Sequence, residues 1–339
     1  MTVVYTDEIF SLHDTGQHPE SIHRNKILHE HFSSLEGPLV KGTVPSLRGL
    51  GQKSLPLAER MIGDMPLGKS SWFRALESVH RPTLIDRVYT QCQSGGGSLD
   101  PDTRVSEESF EVALTAVATL CQGVDDVMTG RTSNVLSLVR PPGHHATGDQ
   151  SMGFCLFNNI AVAARYAQNQ HGINRVLIID WDVHHGNGTQ DIFYEDPSVG
   201  FLSIHRFPFY PGSGHEEEQG SGRGRGTTFN VPIAYGTSRK AYLDAFSHSV
   251  ENAARIIKPD LILISAGFDA HALDPIGDLG LTTEDFGVMT DCVMEVAQST
   301  CKGRLISSLE GGYHLEALKD SVAIHAKHLC LSERFYHDA

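Results

Sequence analysis

The sequence predicts an α/β protein in which helices cover both faces of a mostly parallel sheet. Three observations lead there. From residue 134 onward, apolar runs of strand length recur. Helical segments separate several of them. Clusters of Asp, His and Gly follow the runs directly.

The predicted strands are 134–139, 175–180, 199–205, 228–233, 261–266 and 304–309. Most are near-continuously apolar rather than alternating, as in strands buried on both faces. Segments 158–170, 239–257 and 283–299 read as helices between them. Thr283, followed by Glu284 and Asp285, marks a helix start: its hydroxyl suits the first free N–H groups, and the acids suit the positive dipole end. The alternation implies a layered α/β architecture. Before residue 134 the pattern is less regular. There, 106–118 reads as a helix capped by Ser106 and followed by Glu107 and Glu108, and 81–91 as another. No repeat period is visible. The Gly/Ser-rich stretches 94–98 and 212–226 are short enough to be loops rather than linkers. One domain over residues 1–339 is therefore expected.

Composition narrows the function classes. The net charge of −14 disfavours a nucleic-acid surface, which needs a basic patch, and suits a cationic substrate. No apolar run approaches the roughly 20 residues that span a bilayer. The start, MTVVYTDEIF, lacks the charged and apolar regions of a signal peptide. The 6 cysteines show no metal-knuckle or redox spacing and read as buried free thiols. A soluble, cytoplasmic protein is expected, with no nucleic-acid or membrane partner and with homo-oligomer formation left open.

The chemistry should lie beyond the carboxyl ends of the strands, where ligands bind in such sheets. The strand at 175–180 runs into WDVHHGNG, which places Asp180, Asp182 and His184 two residues apart. Alternate side chains of an extended chain point the same way. Asp269 follows the strand LILISA, so Asp182, His184 and Asp269 can meet if the two strand ends are neighbours. One imidazole and two carboxylates suit a divalent metal such as zinc, with a coordination position left for water or substrate. Asp180 can then orient a neighbouring histidine. After the strand NVLSLV, a Pro-Pro-Gly turn presents His144 and His145; one can shuttle a proton while the other tunes local charge. After RLISSL comes EGGYH, from which Tyr313 can donate a hydrogen bond to a developing oxyanion. Phe154, with Phe209 or Tyr210, can wall a narrow channel.

Together RPPGHHA, GFCLFNN, IIDWDVHHGNGTQ, SIHR…YPGSG, NVPI, SAGFDAH and EGGY resemble the histone deacetylase family. The likeness runs from about Thr6 to about Leu318 and is greatest to the class II and bacterial branch, near the acetylpolyamine amidohydrolases. It implies an arginase-like domain with an eight-stranded parallel sheet and one catalytic zinc ion. By motif, it implies zinc ligands Asp182, His184 and Asp269, with His145 as proton shuttle and His144 paired to Asp180. Tyr313 would polarise the carbonyl, and Gly153, Phe154 and Tyr210 would line an acyl-lysine tunnel. Asp102 and Ile276 would sit at the rim. A structural potassium site is implied near Asp180, Asp182, His184, Ser203 and Ile204.

Two positions depart from the family pattern. Asn187 stands where a second His-pairing Asp is common, which should leave His145 less basic. Tyr210 stands in place of a tunnel Phe. The expected activity is removal of acetyl or another short acyl group from acyl-lysine or a related amine. A strict acetylpolyamine deacetylase is one alternative, although Ile276 stands where specialised polyamine enzymes carry Glu. A two-metal ureohydrolase would need further acids, where Gly186 and His271 stand. A non-catalytic acyl-lysine binder would not need His144, His145 and Tyr313.

Overall fold

The strands form where β-branched and aliphatic residues run together and stop where Gly, Pro or Asp interrupts them. The computed structural model describes residues 1–33, 38–45, 47, 61–62 and 65–331. Its principal strands are β1 (Thr2–Tyr5), β2 (Leu39–Lys41), β3 (Asn134–Ser137), β4 (Val176–Asp180), β5 (Val199–Arg206), β6 (Thr228–Ile233), β7 (Leu261–Ala266) and β8 (Leu305–Leu309). They pair as one eight-stranded sheet in the order β6-β5-β4-β7-β8-β3-β1-β2. Every pairing within it is parallel.

Among the described residues the helices are α1 (Ile22–Ser33), α2 (Ser71–Val79), α3 (Pro82–Gln93), α4 (Ser109–Met128), α5 (Asn159–His171), α6 (Asn187–Phe193), α7 (Arg239–Ile257), α8 (Thr283–Cys301) and α9 (Leu315–Leu331). No helix there is long and apolar enough to cross a membrane. Successive strand residues point to opposite faces, and both faces are buried. Val135, Ile178, Leu263 and Ile306 pack with Phe73, Val117 and Ile160 of α2, α4 and α5. Leu136, Ile179, Leu202 and Ile264 pack with Phe246, Met289 and Val322 of α7, α8 and α9. This two-sided burial explains the near-continuous apolar runs.

The sheet is fully parallel and the six expected strands are all present, with ends shifted by at most two residues. β1 and β2 were not anticipated. They have four and three residues, too few to show a period, and β2 is an exposed edge. Two helix caps differ from expectation. Helix α8 begins after Thr282 rather than with Thr283 as cap: the Thr282 backbone N–H donates to Asp285 Oδ2 at 2.7 Å, completing a capping box. Helix α4 begins at Ser109, because the Ser106 hydroxyl donates to the Leu12 carbonyl at 3.1 Å rather than capping the helix.

The topology places the site. After β4 the chain moves to β5 and β6 on one side, and β7 then lies on the other side of β4. The crevice beyond such a reversal is the usual binding place in open α/β sheets. A buried ion cluster braces it. Glu20 is fully buried and accepts from Arg24 Nη1 at 3.0 Å and from Arg140 Nη2 at 2.7 Å. Arg140 is the residue before the Pro-Pro-Gly turn, so this cluster ties α1 to the loop carrying His144. Burial pushes the Glu20 carboxyl up, but Arg140 and His13 overcome this and hold it well below the ordinary glutamate value of 4.5. A depressed carboxyl contributes stability above its unfolded value and loses it as pH falls through the folded one. Glu20→Gln leaves two buried guanidinium groups without their anion, and should destabilise the fold by about 3–5 kcal/mol at neutral pH. The loss relative to the parent should shrink once acid protonates Glu20. Thermal unfolding of both proteins across acid pH checks this.

Candidate active site

Asp182 and His184 lie on the loop that leaves β4, and Asp269 on the loop that leaves its neighbour β7. Their ligand atoms lie within 4.8 Å of one another, and all three residues are buried. His184 Nδ1 is 3.0 Å from Asp182 Oδ1 and 3.2 Å from Asp269 Oδ2. Backbone N–H groups aim the acids. Asp182 Oδ2 accepts from Gly311 N at 2.8 Å, and Asp269 Oδ1 from Val183 N at 2.9 Å. The other Asp269 oxygen, Oδ2, is buried, takes no backbone N–H and has the His184 ring beside it. Burial and then the Asp182 charge raise the Asp269 carboxyl to about 7. Burial pulls the His184 imidazolium down, but Asp182 and Asp269 lift it to about 9. Two packed carboxylates and an imidazole nitrogen aimed between them form a donor set that fits a divalent cation. Gly311 permits the packing, because a Cβ there would stand 2.1 Å from Asp269 Oδ2.

A second group, His144, Cys155 and Glu310, is equally compact. Its donors are engaged elsewhere. Glu310 Oε2 accepts from Gly143 N at 2.7 Å, and Oε1 from Ser265 Oγ at 3.1 Å. Burial pushes the Cys155 thiol well above its ordinary value, and it donates to the Gly153 carbonyl at 3.3 Å. These atoms do not form a vacant ligand set.

The histidine pair stands beside the first group, ring centroids 4.0 Å apart. Their surroundings drive them in opposite directions. For His144, burial opposes the charged form, but Asp180 and Asp182 outweigh it and lift the imidazolium to about 10. His144 Nδ1 lies 2.9 Å from Asp180 Oδ2. For His145, burial lowers the value well below 6.5, and His144 and His184 lower it further. Its Nδ1 lies 2.7 Å from Asn187 Oδ1. The Asn187 amide oxygen accepts only, so Nδ1 carries the hydrogen and the neutral ring keeps Nε2 as acceptor. The surroundings thus favour the charged form of His144 and the neutral form of His145.

Aromatic rings frame this group. Phe154 meets Tyr313 edge-on with centroids 5.9 Å apart, and Tyr210 meets His145 edge-on at 5.2 Å. Phe209 instead stacks on His184 at 5.2 Å, so of the two candidate partners of Phe154 it is Tyr210 that turns toward the histidine pair. Burial, with Asp269 and Asp182 nearby, holds the Tyr313 phenol well above 10, so it keeps its proton. Gly153 and Phe154 both have left-handed backbones, φ 56° and 70°. Thr103 Oγ1 accepts from Phe154 N at 3.1 Å and holds that unusual conformation. Asp102 is half-buried next to Thr103, its carbonyl 3.1 Å from His18 Nε2. Ile276 is half-buried on the loop after β7, and its N–H donates to Asp274 Oδ1 at 2.9 Å. Ser203 and Asp180 are cross-strand neighbours, and the Ser203 hydroxyl lies 2.9 Å from His205 Nδ1. Ile204 follows it in β5, buried in the core.

Several residues that shape the site were not anticipated. Glu310 holds the backbone of Gly143 and His144. Arg24 Nε donates to the Gly312 carbonyl at 2.7 Å, and its guanidinium lies 5.2 Å from the Tyr313 ring centre. Glu20 and Arg140 brace the same region. Glu310 and Arg140 stand inside the motifs EGGY and RPPG, a signal that was available. Glu20 and Arg24, four residues apart in an irregular segment, carry no sign of burial.

A family model described as "Histone deacetylase domain" matches residues 54–329. The chain belongs to the histone deacetylase family. A rice (Oryza sativa subsp. japonica) relative, "Histone deacetylase 10, chloroplastic", is 56% identical over 55% of this chain and 42% of its own length. The human "Polyamine deacetylase HDAC10" is 38% identical over 82% of this chain and 41% of its own length. The chain thus spans about two fifths of the length of each of these relatives. A solved structure titled "Crystal Structure of HDA15 HD domain" superposes with a TM-score of 0.83 at 35% identity, covering 97% of this chain and 90% of that one. Family membership supports hydrolysis of amides.

Gly153→Ala tests the site geometry. A Cβ at Gly153 would stand 2.4 Å from His145 Cδ2. The displaced ring should cost amide hydrolysis on the order of a hundredfold, while the divalent-metal content should match that of the parent. Turnover and metal content of the purified variant check the two outcomes.

Proposed function

We propose that this deacetylase hydrolyses the amide of an acylated amine, with acyl-lysine as the principal substrate class, at a single zinc ion held by Asp182, His184 and Asp269. The observation that carries the reading is the packing of the histidine pair, His144 on Asp180 and His145 on Asn187, against the compact cluster of Asp182, His184 and Asp269. When bound, zinc would polarise the acyl carbonyl and acidify a water molecule, whose pKa falls from about 15.7 toward roughly 7 at favourable sites. His145 Nε2 takes the proton of the attacking water and later passes it to the leaving amine. His144, held charged by Asp180, keeps the local field positive. Tyr313 donates its O–H to the oxygen that gains charge, and one such donor is commonly worth about 3 kcal/mol. The C–N bond breaks, and a carboxylate and a free amine leave.

Phe154 and Tyr210 are proposed as tunnel walls with Gly153 at the inner end, and Asp102 and Ile276 as rim residues. An apolar Ile276 offers nothing to a second ammonium group, which favours acyl-lysine over acetylpolyamines. One ion rather than two is favoured by His271, whose Nδ1 accepts from Leu273 N at 3.1 Å and whose Nε2 lies 3.3 Å from Thr283 Oγ1. Potassium is proposed beside Asp180, Asp182, His184, Ser203 and Ile204, on the strength of their oxygen donors alone. The cytosol is proposed as the compartment, since the cysteines are all free and mostly buried.

Two measurements test this. Tyr313→Phe should retain its metal while turnover falls by about a hundredfold or more; unchanged turnover would remove Tyr313 from the reaction. Metal analysis should give one ion per chain, and a chelator should abolish hydrolysis of acetyl-lysine peptides. Acetylspermidine hydrolysed far faster than any acyl-lysine peptide would shift the assignment to the polyamine class.

A further inference from the structure

The Tyr313 loop is clamped at several of its backbone groups. Gly311 N donates to Asp182, and Gly311 O accepts from Phe268 N at 3.0 Å. Gly312 O accepts from Arg24. The remaining tie, at Tyr313 itself, comes from a residue outside the chemistry described above. Tyr313 N donates to Asp274 Oδ2 at 2.7 Å, and His314 N to the same oxygen at 3.4 Å. The other carboxylate oxygen, Oδ1, accepts from Ile276 N at 2.9 Å and Gly277 N at 3.0 Å. Asp274 is buried. Gly277 is held on its far side as well, its carbonyl accepting from Arg206 Nη1 at 2.8 Å.

One carboxylate therefore joins two loops, one oxygen to each. The first loop follows the metal-ligand position Asp269 and carries Ile276. The second carries the phenol. We propose that Asp274 is a positioning residue that sets Tyr313 against the reacting carbonyl and fixes its distance from the loop bearing Ile276. The proposal rests on the assignment of Tyr313 as oxyanion donor. No neutral isostere can replace the carboxylate. In Asp274→Asn one oxygen becomes an NH2 group, so in either orientation a donor faces backbone donors on one of the two loops. The phenol then loses its fixed place although every group that touches the substrate is still present.

The test is a double-mutant cycle read beside amide hydrogen exchange. Asp274→Asn should lower kcat for an acetyl-lysine peptide by about ten- to a hundredfold, with metal content retained. In a Tyr313→Phe background the same substitution should cost less than about twofold, because the group it positions is gone. In the folded single variant, exchange should quicken at residues 311–314. An equal loss of kcat in both backgrounds would overturn the proposal, as would unchanged exchange. The exchange measurement needs no substrate and separates this proposal from the functional one. Faster exchange in a chain whose parent hydrolyses no acyl amide keeps the strut and rejects the hydrolase.

Discussion

The constraint on which the site depends is the burial of Asp182 and Asp269 side by side at neighbouring strand ends. Two like charges out of water repel, and the ionisable side chain that lies between them is the His184 imidazole. Backbone N–H groups meet part of the demand, and His184 meets more. Asp269 Oδ2 takes no backbone N–H and has the His184 ring beside it. An arrangement so costly in its bare form is the expected signature of a site built for a cation.

The same arrangement organises what surrounds it. Asp182 takes an N–H from Gly311 and so reaches into the loop that carries Tyr313. It also helps charge His144, which in turn suppresses protonation of His145. Environment rather than residue type separates the two adjacent histidines: Asp180 and Asp182 outweigh burial at His144, whereas burial and the neighbouring His144 and His184 pull His145 down. Asn187 matters here as a neutral acceptor, orienting His145 without adding charge. The outer supports do the mechanical work. Glu310 fixes the backbone under the histidine pair, and the Glu20, Arg24 and Arg140 cluster joins the N-terminal segment to both catalytic loops.

Much of this was legible in the chain. Residues 261–266 and 228–233 read as strands with the bounds they have, because runs such as LILISA bury both faces and contrast sharply with the Gly- and Asp-rich turns after them. Asp182, His184 and Asp269 were legible because strand ends in a parallel sheet converge on one crevice. β1 and β2 were not legible: three or four residues hold too little periodicity. Ser106 was misread because a serine before acidic residues looks like a cap, and nothing local reveals that its hydroxyl is taken by Leu12 from 94 residues away.

By itself the sequence determined the layered parallel fold, the family, and the kinds of side chain at each strand end, since these follow from hydrophobic period and local motif. Only the tertiary structure decided which backbone N–H groups aim the two acids, that His144 meets Asp180 and His145 meets Asn187, and that Tyr210 rather than Phe209 faces His145. It alone brought Glu20 to Arg140 and Asp274 to Tyr313. Charge state and hydrogen-bond direction depend on distances of a few ångströms between segments far apart in the chain, and no local pattern encodes such distances.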